Sequence, residues 1–299
     1  MTEAWPPLPL PEWSATRDTL HGYVQVVGKI RLALTPLERE WANVPLYVTA
    51  RGLTTGPMWS GERAVQIDFD FVAHVLEIDA SDGRGRSISL VPDLSVADFY
   101  QQVVAALSAL GVPVRIWPML VEVPNPVRCD EDRANCTYDA EAARRFWQGL
   151  VHVAGAFAQF RAPFRGRHTQ IAFFWGTFDL AYARFSGRPA DPPPNSGLIY
   201  RGAMDAEQIE AGFWPGDQRF EEPAFYCFGY PKPPQIETAI LRPPQALWHP
   251  DLGEFLLRYE DVRSAPSPRA ALLDFLESTY AACASAAGWD RAVLDATPS

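Results

Sequence analysis

The chain has 299 residues, and its 36 acidic residues outnumber its 26 lysines and arginines, giving a formal net charge of −10 at pH 7. This acidic balance argues against nucleic-acid binding, which needs cationic side chains that displace counterions, and against attachment to anionic membranes. Hydrophobic residues make up 47% of the chain, so a substantial core can form and disorder is not expected.

Several sequence features favour a cytoplasmic protein. Residues 1–13 contain acids and many prolines but no basic residue, so they do not resemble a secretory signal. The longest apolar runs fall far short of the roughly 20 residues that a membrane-spanning helix needs. The four cysteines lack CxxC spacing and are interpreted as reduced thiols. Because Cys129 and Cys136 match no common zinc spacing, no metal site is predicted, and cofactor and oligomeric state are left open.

The first half is predicted to contain an arm, a helix, an antiparallel sheet and a second helix. Trp5 and Trp13 anchor the proline-rich arm, residues 1–13. Apolar residues at spacings of three and four predict a helix over residues 14–34. Alternating apolar and polar residues predict a strand over residues 64–71. Further predicted elements are strands over 45–53, 74–79 and 86–91, a helix over 95–110 that Ser95 caps and Gly111 ends, and an extended segment over 112–123.

The second half repeats this order of elements. A polar connector, residues 125–138, separates a first module (14–124) from a second module (139–299). Asp139 is predicted to cap a long helix that ends near residue 160, and an aromatic strand follows within residues 173–188. Short strands separated by proline-rich loops are predicted over residues 195–260, and a last helix is predicted from about residue 268 to 287.

The two halves also show a weak internal repeat. Residues 21–36 match residues 148–163 at an offset of 127 residues, with shared glycine, valine and proline positions. The same offset places residues 44–53 over residues 171–180, strand over strand. Two unrelated helix–strand units could also reach this similarity. We predict an α+β fold of two tandem pseudo-repeated modules, each a helix, an antiparallel meander and a helix, packed into one globular unit.

Polar side chains on the two long helices are the first candidate site residues. His21, Gln25 and Lys29 are four residues apart on the first helix and form a line beside its apolar stripe. On the matching helix, Gln148 and His152 occupy the equivalent places in swapped order. We predict that the two His/Gln pairs converge on one pocket, with His21 or His152 as acid or base. The structural alternative is that each pair bonds backbone groups or faces water.

Charged and aromatic residues on the second-half strands are the other candidates. Asp179 lies in an apolar strand and needs a partner, for which Arg184 or Arg188 is the natural choice. The two arginines could alternatively clamp a carboxylate or phosphate. Trp175 and Trp214 are predicted aromatic walls of the pocket, with Trp214 in a rigid turn at its lip, and Arg51 is assigned a related role in the first half.

Standard catalytic and nucleotide-binding motifs are absent. Several longer stretches are distinctive together: LHGYVQVVGKIRLAL, LYVTARGLTTG, IDFDFVAH, SVADFY, FFWGTFDLAYARFSGR, GFWPG and STYAACASAAGWDR. On these motifs, from about residue 16 to residue 291, the chain resembles a bacterial family catalogued as domain-of-unknown-function family 5996. The resemblance implies no reaction, cofactor or catalytic residue.

Two functional hypotheses follow from the sequence. The first is a small anionic ligand bound in a polar pocket with aromatic walls, with enzymatic activity left open. The second is a non-catalytic scaffold whose exposed aromatic residues meet a protein partner.

Overall fold

Two antiparallel sheets and the helices packed on them form the protein. The computed structural model describes residues 5–217 and 220–296. The predicted α+β class is confirmed. The helices of the described residues are α1 (Leu10–Leu34), α2 (Val96–Ala109), α3 (Ala140–Arg161), α4 (Leu198–Ala203), α5 (Tyr259–Arg263), α6 (Pro268–Ala286) and α7 (Arg291–Leu294).

The first sheet belongs to the first half of the chain. Its alternation is as predicted, because Val65, Ile67 and Phe69 are buried while the intervening side chains are more exposed. The strand order is β1-β2-β4-β5-β6, with β3 paired to β4. The strands are β1 (Tyr47–Val48), β2 (Gly52–Thr54), β3 (Met58–Ser60), β4 (Arg63–Asp70), β5 (Val75–Ala80) and β6 (Gly85–Ser89).

The second sheet is built from the second half. Its strand order is β11-β12-β10-β9-β8-β7, and every pair is antiparallel. α6 packs on β9 and β10, and α3 packs on β8. The strands are β7 (Ala172–Phe174), β8 (Asp179–Pro189), β9 (Ala206–Trp214), β10 (Ala224–Tyr230), β11 (Leu247–His249) and β12 (Glu254–Arg258).

The helix α1 lies between the two halves and joins their cores. It contacts α2 and β3 of the first half and α3 of the second. Tyr23, Val26 and Ile30 are fully buried in a hydrophobic cluster to which both halves contribute. The sheets also meet directly, because Leu46 and Phe173 exchange both backbone hydrogen bonds, at 2.9 and 2.7 Å. The site residues on α1 are therefore held by elements from both halves.

Three boundaries differ from the sequence-based prediction. α1 begins at Leu10 rather than residue 14, since Pro11 in its first turn costs no helical hydrogen bond. Residues 45–53 are not one strand, because the Thr49 hydroxyl accepts from the amides of Arg51 and Gly52 and turns the chain between β1 and β2. Residues 112–123 form no strand, since only Met119 makes a bridge, with Arg128.

Several helix ends are confirmed. Ser95 caps α2 by accepting from the Asp98 amide, and Asp139 caps α3 by accepting from two first-turn amides. Gly111 and Gly288 follow α2 and α6 with positive φ. Both halves show the predicted helix–sheet–helix order, while the duplication itself stays a prediction.

Candidate functional site

α1 carries the predicted line of polar side chains on a buried surface. His21, Gln25 and Lys29 are one helical turn apart and share a face. Gln25 is fully buried, Lys29 is 6% exposed and His21 is partly buried. Since these groups are largely removed from water, their partners must come from the protein or from a ligand.

A long irregular segment covers this line. Residues 112–138, called the strap below, contain no helix and no strand beyond the single bridge. The Val121 amide donates to Gln25 Oε1 at 2.9 Å, and Gln25 Nε2 donates to the Val121 carbonyl at 2.8 Å. Nearer the start of α1, the Thr137 amide donates to Thr19 Oγ1 at 3.1 Å. Irregular segments of this length within a compact domain are uncommon and are often functional.

His21 is tied to the turn between β7 and β8. Its Nε2 lies 2.9 Å from the Gly176 carbonyl, and the ring packs against Phe178. Burial lowers the pKa of His21 to about 4, an effect that the Arg17 guanidinium increases and the hydrogen bond to Gly176 opposes. The imidazole is therefore neutral at pH 7, and Nε2–H is engaged as a donor. This contact holds the turn in place.

Lys29 occupies an aromatic setting. Its ammonium lies 5.4 Å from the ring centroid of Trp175 and 5.4 Å from that of Trp117 on the strap. Lys29 forms no ion pair with a carboxylate of the described residues. Burial lowers the pKa of Lys29, with a small opposing effect of the Cys129 thiol. A buried ammonium held only by ring faces is costly, since each such contact supplies only about 0.5–2 kcal/mol.

Trp175 is fixed from two sides. Its indole Nε1 donates to the Val44 carbonyl at 2.9 Å, and its ring lies directly over Gly28 of α1. A Cβ at residue 28 would come within 2.2 Å of the ring. The glycine thus permits the close approach of helix and turn, and it sets the position of the indole beside Lys29.

A second polar group lies where β8 leaves the same turn. Asp179 accepts hydrogen bonds from Thr177 Oγ1 and from the Tyr226 hydroxyl, which also lies 3.2 Å from Glu210 Oε1. Burial raises the pKa of Glu210 to about 8, and the Asp179 charge adds to the increase while Tyr226 opposes it. At neutral pH this cluster therefore holds a proton on Glu210. No group of three or more His, Cys, Asp and Glu within the described chain is arranged to hold a metal ion.

The predicted ion pair between Asp179 and Arg184 is wrong. The two residues are five apart on β8, so their side chains lie on opposite faces of the strand. Arg184 is buried, donates to the Phe160 carbonyl and stacks 3.6 Å from the Phe160 ring and 4.2 Å from that of Tyr280. It fixes α3 and α6 to the sheet.

The predicted clamp of Arg184 and Arg188 is not formed either. Arg188 is exposed, pairs with Glu207 at 2.6 Å and donates to the Ala287 carbonyl at the end of α6. Arg51 pairs with Asp70 at 2.5 Å on the surface of the first sheet. These two arginines take part in local ion pairs.

Two more predicted positions differ from expectation. His152 stacks on Trp5 at 5.3 Å, so the two His/Gln pairs meet different parts of the chain and do not converge. Trp214 is not in a turn but ends β9, where it is buried beside Phe220. Its neighbour Phe213 pairs with Leu180, which places Trp214 at the Asp179 end of β8.

Of the ten predicted site residues, His21, Gln25, Lys29 and Trp175 form one group, and Asp179 and Trp214 lie just beyond it. Two surface depressions occur elsewhere in the described residues, and none of the ten lines either. One, of about 470 Å³ and partly open to solvent, includes Leu256, which pairs with Tyr226 across β12 and β10. Arg51, His152, Arg184 and Arg188 contact other parts of the chain, so the ten residues do not converge on one site.

Sequence reasoning missed the strap's contribution and the partners of Asp179. Trp117 and Val121 were assigned only to an extended segment, and no pattern in the sequence shows that the strap lies along α1. Glu210 and Tyr226 could have been found from strand alternation, which places Glu210 on the face of β9 opposite to Ile209, Ala211 and Phe213.

Comparison with known proteins identifies the family. The model of the family of unknown function DUF5996 matches residues 5–296, so the chain belongs to that family. No curated protein and no solved structure matches the chain. None of the helices in residues 5–217 and 220–296 combines the length and the apolar character needed to cross a membrane.

Proposed function

We propose that the protein binds a small anionic molecule at Lys29, between the rings of Trp117 and Trp175. The observation that carries this proposal is the buried Lys29 ammonium, which has ring faces but no described carboxylate as its partners. An anion would supply the missing countercharge, and it would gain a charge-assisted hydrogen bond worth about 1.5–3 kcal/mol.

The walls of the site indicate the shape of the ligand. Trp175 is buried and fixed by its bond to Val44, whereas Trp117 is 66% exposed and belongs to the strap. The ligand that fits best has a flat or short apolar part that packs between the two indole rings. It ends in a carboxylate or phosphate that pairs with the Lys29 ammonium. His21 and Gln25 hold the turn and the strap around this position.

The charge at Lys29 replaces the arginine clamp of the sequence-based hypothesis. Arg184 and Arg188 have their own partners, so neither is needed to bind the ligand. The anionic class of ligand is kept, and its position moves from β8 to α1. Chemical conversion of the ligand is a separate question, since binding requires only the charge and the walls.

Isothermal titration calorimetry with benzoate, pyruvate, glycolate and inorganic phosphate tests the proposal. We expect at least one anion to bind the full chain, and Lys29→Met to weaken that binding by about tenfold or more, the equivalent of 1.4 kcal/mol. Lys232→Met is the matched control, because the Lys232 ammonium also lies over a ring, that of Trp248 at 5.0 Å, but is exposed and pairs with Glu237.

The pH dependence gives a second readout. A bound anion favours the ammonium, so binding should weaken as the pH rises through the pKa of Lys29. Lys29→Met should remain folded, because exchanging a buried charge for an apolar side chain of similar volume is often neutral or stabilising. If no anion binds the wild type, or if Lys29→Met binds it equally well, the proposal is overturned.

A further inference from the structure

We infer that Lys29 is a nucleophile that forms an imine with the carbonyl group of a small oxo acid. The inference rests on the anion site proposed above for the choice of an acid. It adds the class of reacting group, a ketone or aldehyde next to the carboxylate, and it assigns the amine a covalent role.

The first argument is the rarity of lysine in this chain. Only two of the 26 lysines and arginines are lysines, Lys29 and Lys232, so the chain uses arginine for nearly all of its cationic contacts. Arginine binds anions better than lysine through its planar fork, but its guanidinium does not lose a proton in proteins. A primary amine is required where the nitrogen must become neutral and attack carbon.

The second argument is the setting of the amine. Lys29 is 6% exposed, and no described carboxylate holds it in the protonated state. Burial lowers the pKa of its ammonium, which increases the neutral fraction about tenfold for each unit of lowering. Lys232, by contrast, is exposed and pairs with Glu237 at 3.6 Å.

The reaction is balanced without an external oxidant or reductant. The neutral Nζ attacks the carbonyl carbon, a C–N bond forms and the carbonyl oxygen takes up a proton. Both hydrogens of the amine leave with that oxygen as water, and a C=N double bond remains. The imine nitrogen then takes up one proton from solvent. The protonated imine carries a positive charge between Trp117 and Trp175, where the ring faces that stabilise the ammonium also stabilise the product.

The neighbouring thiol does not compete for the carbonyl group. Cys129 is fully buried, and burial raises the pKa of its thiol to about 11. The thiolate, which is the reactive form, is therefore scarce at neutral pH.

Reductive trapping on the wild-type chain tests the inference without a variant. The protein is incubated at pH 7.5 with glyoxylate and cyanoborohydride, and peptides containing Lys29 and Lys232 are quantified by mass spectrometry. We expect Lys29 to be alkylated severalfold faster than Lys232, because burial lowers the pKa of its ammonium and increases the neutral fraction of the amine. Glycolate, which has the carboxylate but no carbonyl, should slow the trapping of Lys29 and leave Lys232 unaffected.

Two variants separate charge from nucleophilicity. Lys29→Arg keeps a cation in the site, so it should retain binding of glycolate and lose the adduct, whereas Lys29→Met should lose both. Equal trapping rates of Lys29 and Lys232 overturn the nucleophile. In that case the anion site still stands if glycolate binds the wild type. If glycolate does not bind either, the anion site fails together with the nucleophile. If acetaldehyde traps Lys29 quickly and no anion binds measurably, Lys29 is a nucleophile, but its substrate is not an oxo acid.

Discussion

Substitution of Gly28 by alanine should destabilise the protein although it improves the helix. In an exposed helix interior the change would gain about 1 kcal/mol. Here the added Cβ would lie 2.2 Å from Cδ1 and Nε1 of Trp175, and ordinary contact begins near 3.4 Å, so the indole must move by more than 1 Å. That movement costs about 1–3 kcal/mol in overpacking and about 1–3 kcal/mol for the buried Nε1–H that loses the Val44 carbonyl. Subtracting the gain in helix propensity leaves an expected net loss of about 1–5 kcal/mol.

Gly155 in α3, which the predicted repeat aligns with Gly28, provides a matched control. A Cβ there would meet only Nη2 of the exposed, flexible Arg269 at 3.3 Å, so Gly155→Ala should stabilise the protein by about 0.5–1 kcal/mol. Urea unfolding followed by circular dichroism measures both free energies of unfolding. If Gly28→Ala were as stable as the wild type, or if both variants changed in the same direction, the close contact of Trp175 with α1 would not be the reason for the glycine.

Three further predictions concern the other charged groups. The folded-state pKa of Glu210 is about 8, above its usual 4.5, so the stabilisation from its protonated form is complete below pH 4.5 and is lost as the pH rises to 8. In urea unfolding, Glu210→Gln should be as stable as the wild type at pH 5 and more stable than the wild type above pH 8. The pKa of His21 is lowered from 6.5 to about 4, so the contribution of its neutral imidazole to stability is complete above pH 6.5 and is lost as the pH falls to 4. In NMR titrations the imidazole signals of His21, assigned by comparison with His21→Gln, should not shift between pH 8 and 5.5. Arg184→Met should lower the free energy of unfolding by about 2–4 kcal/mol, because it loses the carbonyl and ring contacts of the guanidinium. Arg188→Ala should change that free energy by less than about 1 kcal/mol, and neither variant should alter anion binding. Equal effects of the two variants on stability would contradict the different burial of the two arginines.

Local periodicity predicted the helices and most strands, because helix caps and alternation depend on neighbouring residues. Ser95, Asp139 and Gly111 marked helix ends correctly, and the line of His21, Gln25 and Lys29 was visible from spacing alone. These features depend on contacts within one or two helical turns.

The parts that were missed depend on contacts between distant segments. The strap follows α1 because its backbone bonds side chains such as Gln25, about a hundred residues away, and no local pattern encodes that path. The error at Asp179 and Arg184 was avoidable, since an odd separation along a strand places two side chains on opposite faces. His152 was misassigned because an equivalent place in a repeat does not fix which surface a helix presents.

The contact between Leu46 and Phe173 has a consequence for how the chain could have arisen. These residues are 127 positions apart, the offset of the proposed repeat, and each belongs to the outermost edge of its sheet. Under the predicted duplication, a rotation by half a turn that exchanges the two modules would carry this residue pair onto itself. The predicted seam is then that of a symmetric two-chain assembly contained in a single polypeptide. In a single module, the sheet edge at Leu46 would be open to pairing with another copy. Here Phe173, from the second half of the same chain, pairs with that edge.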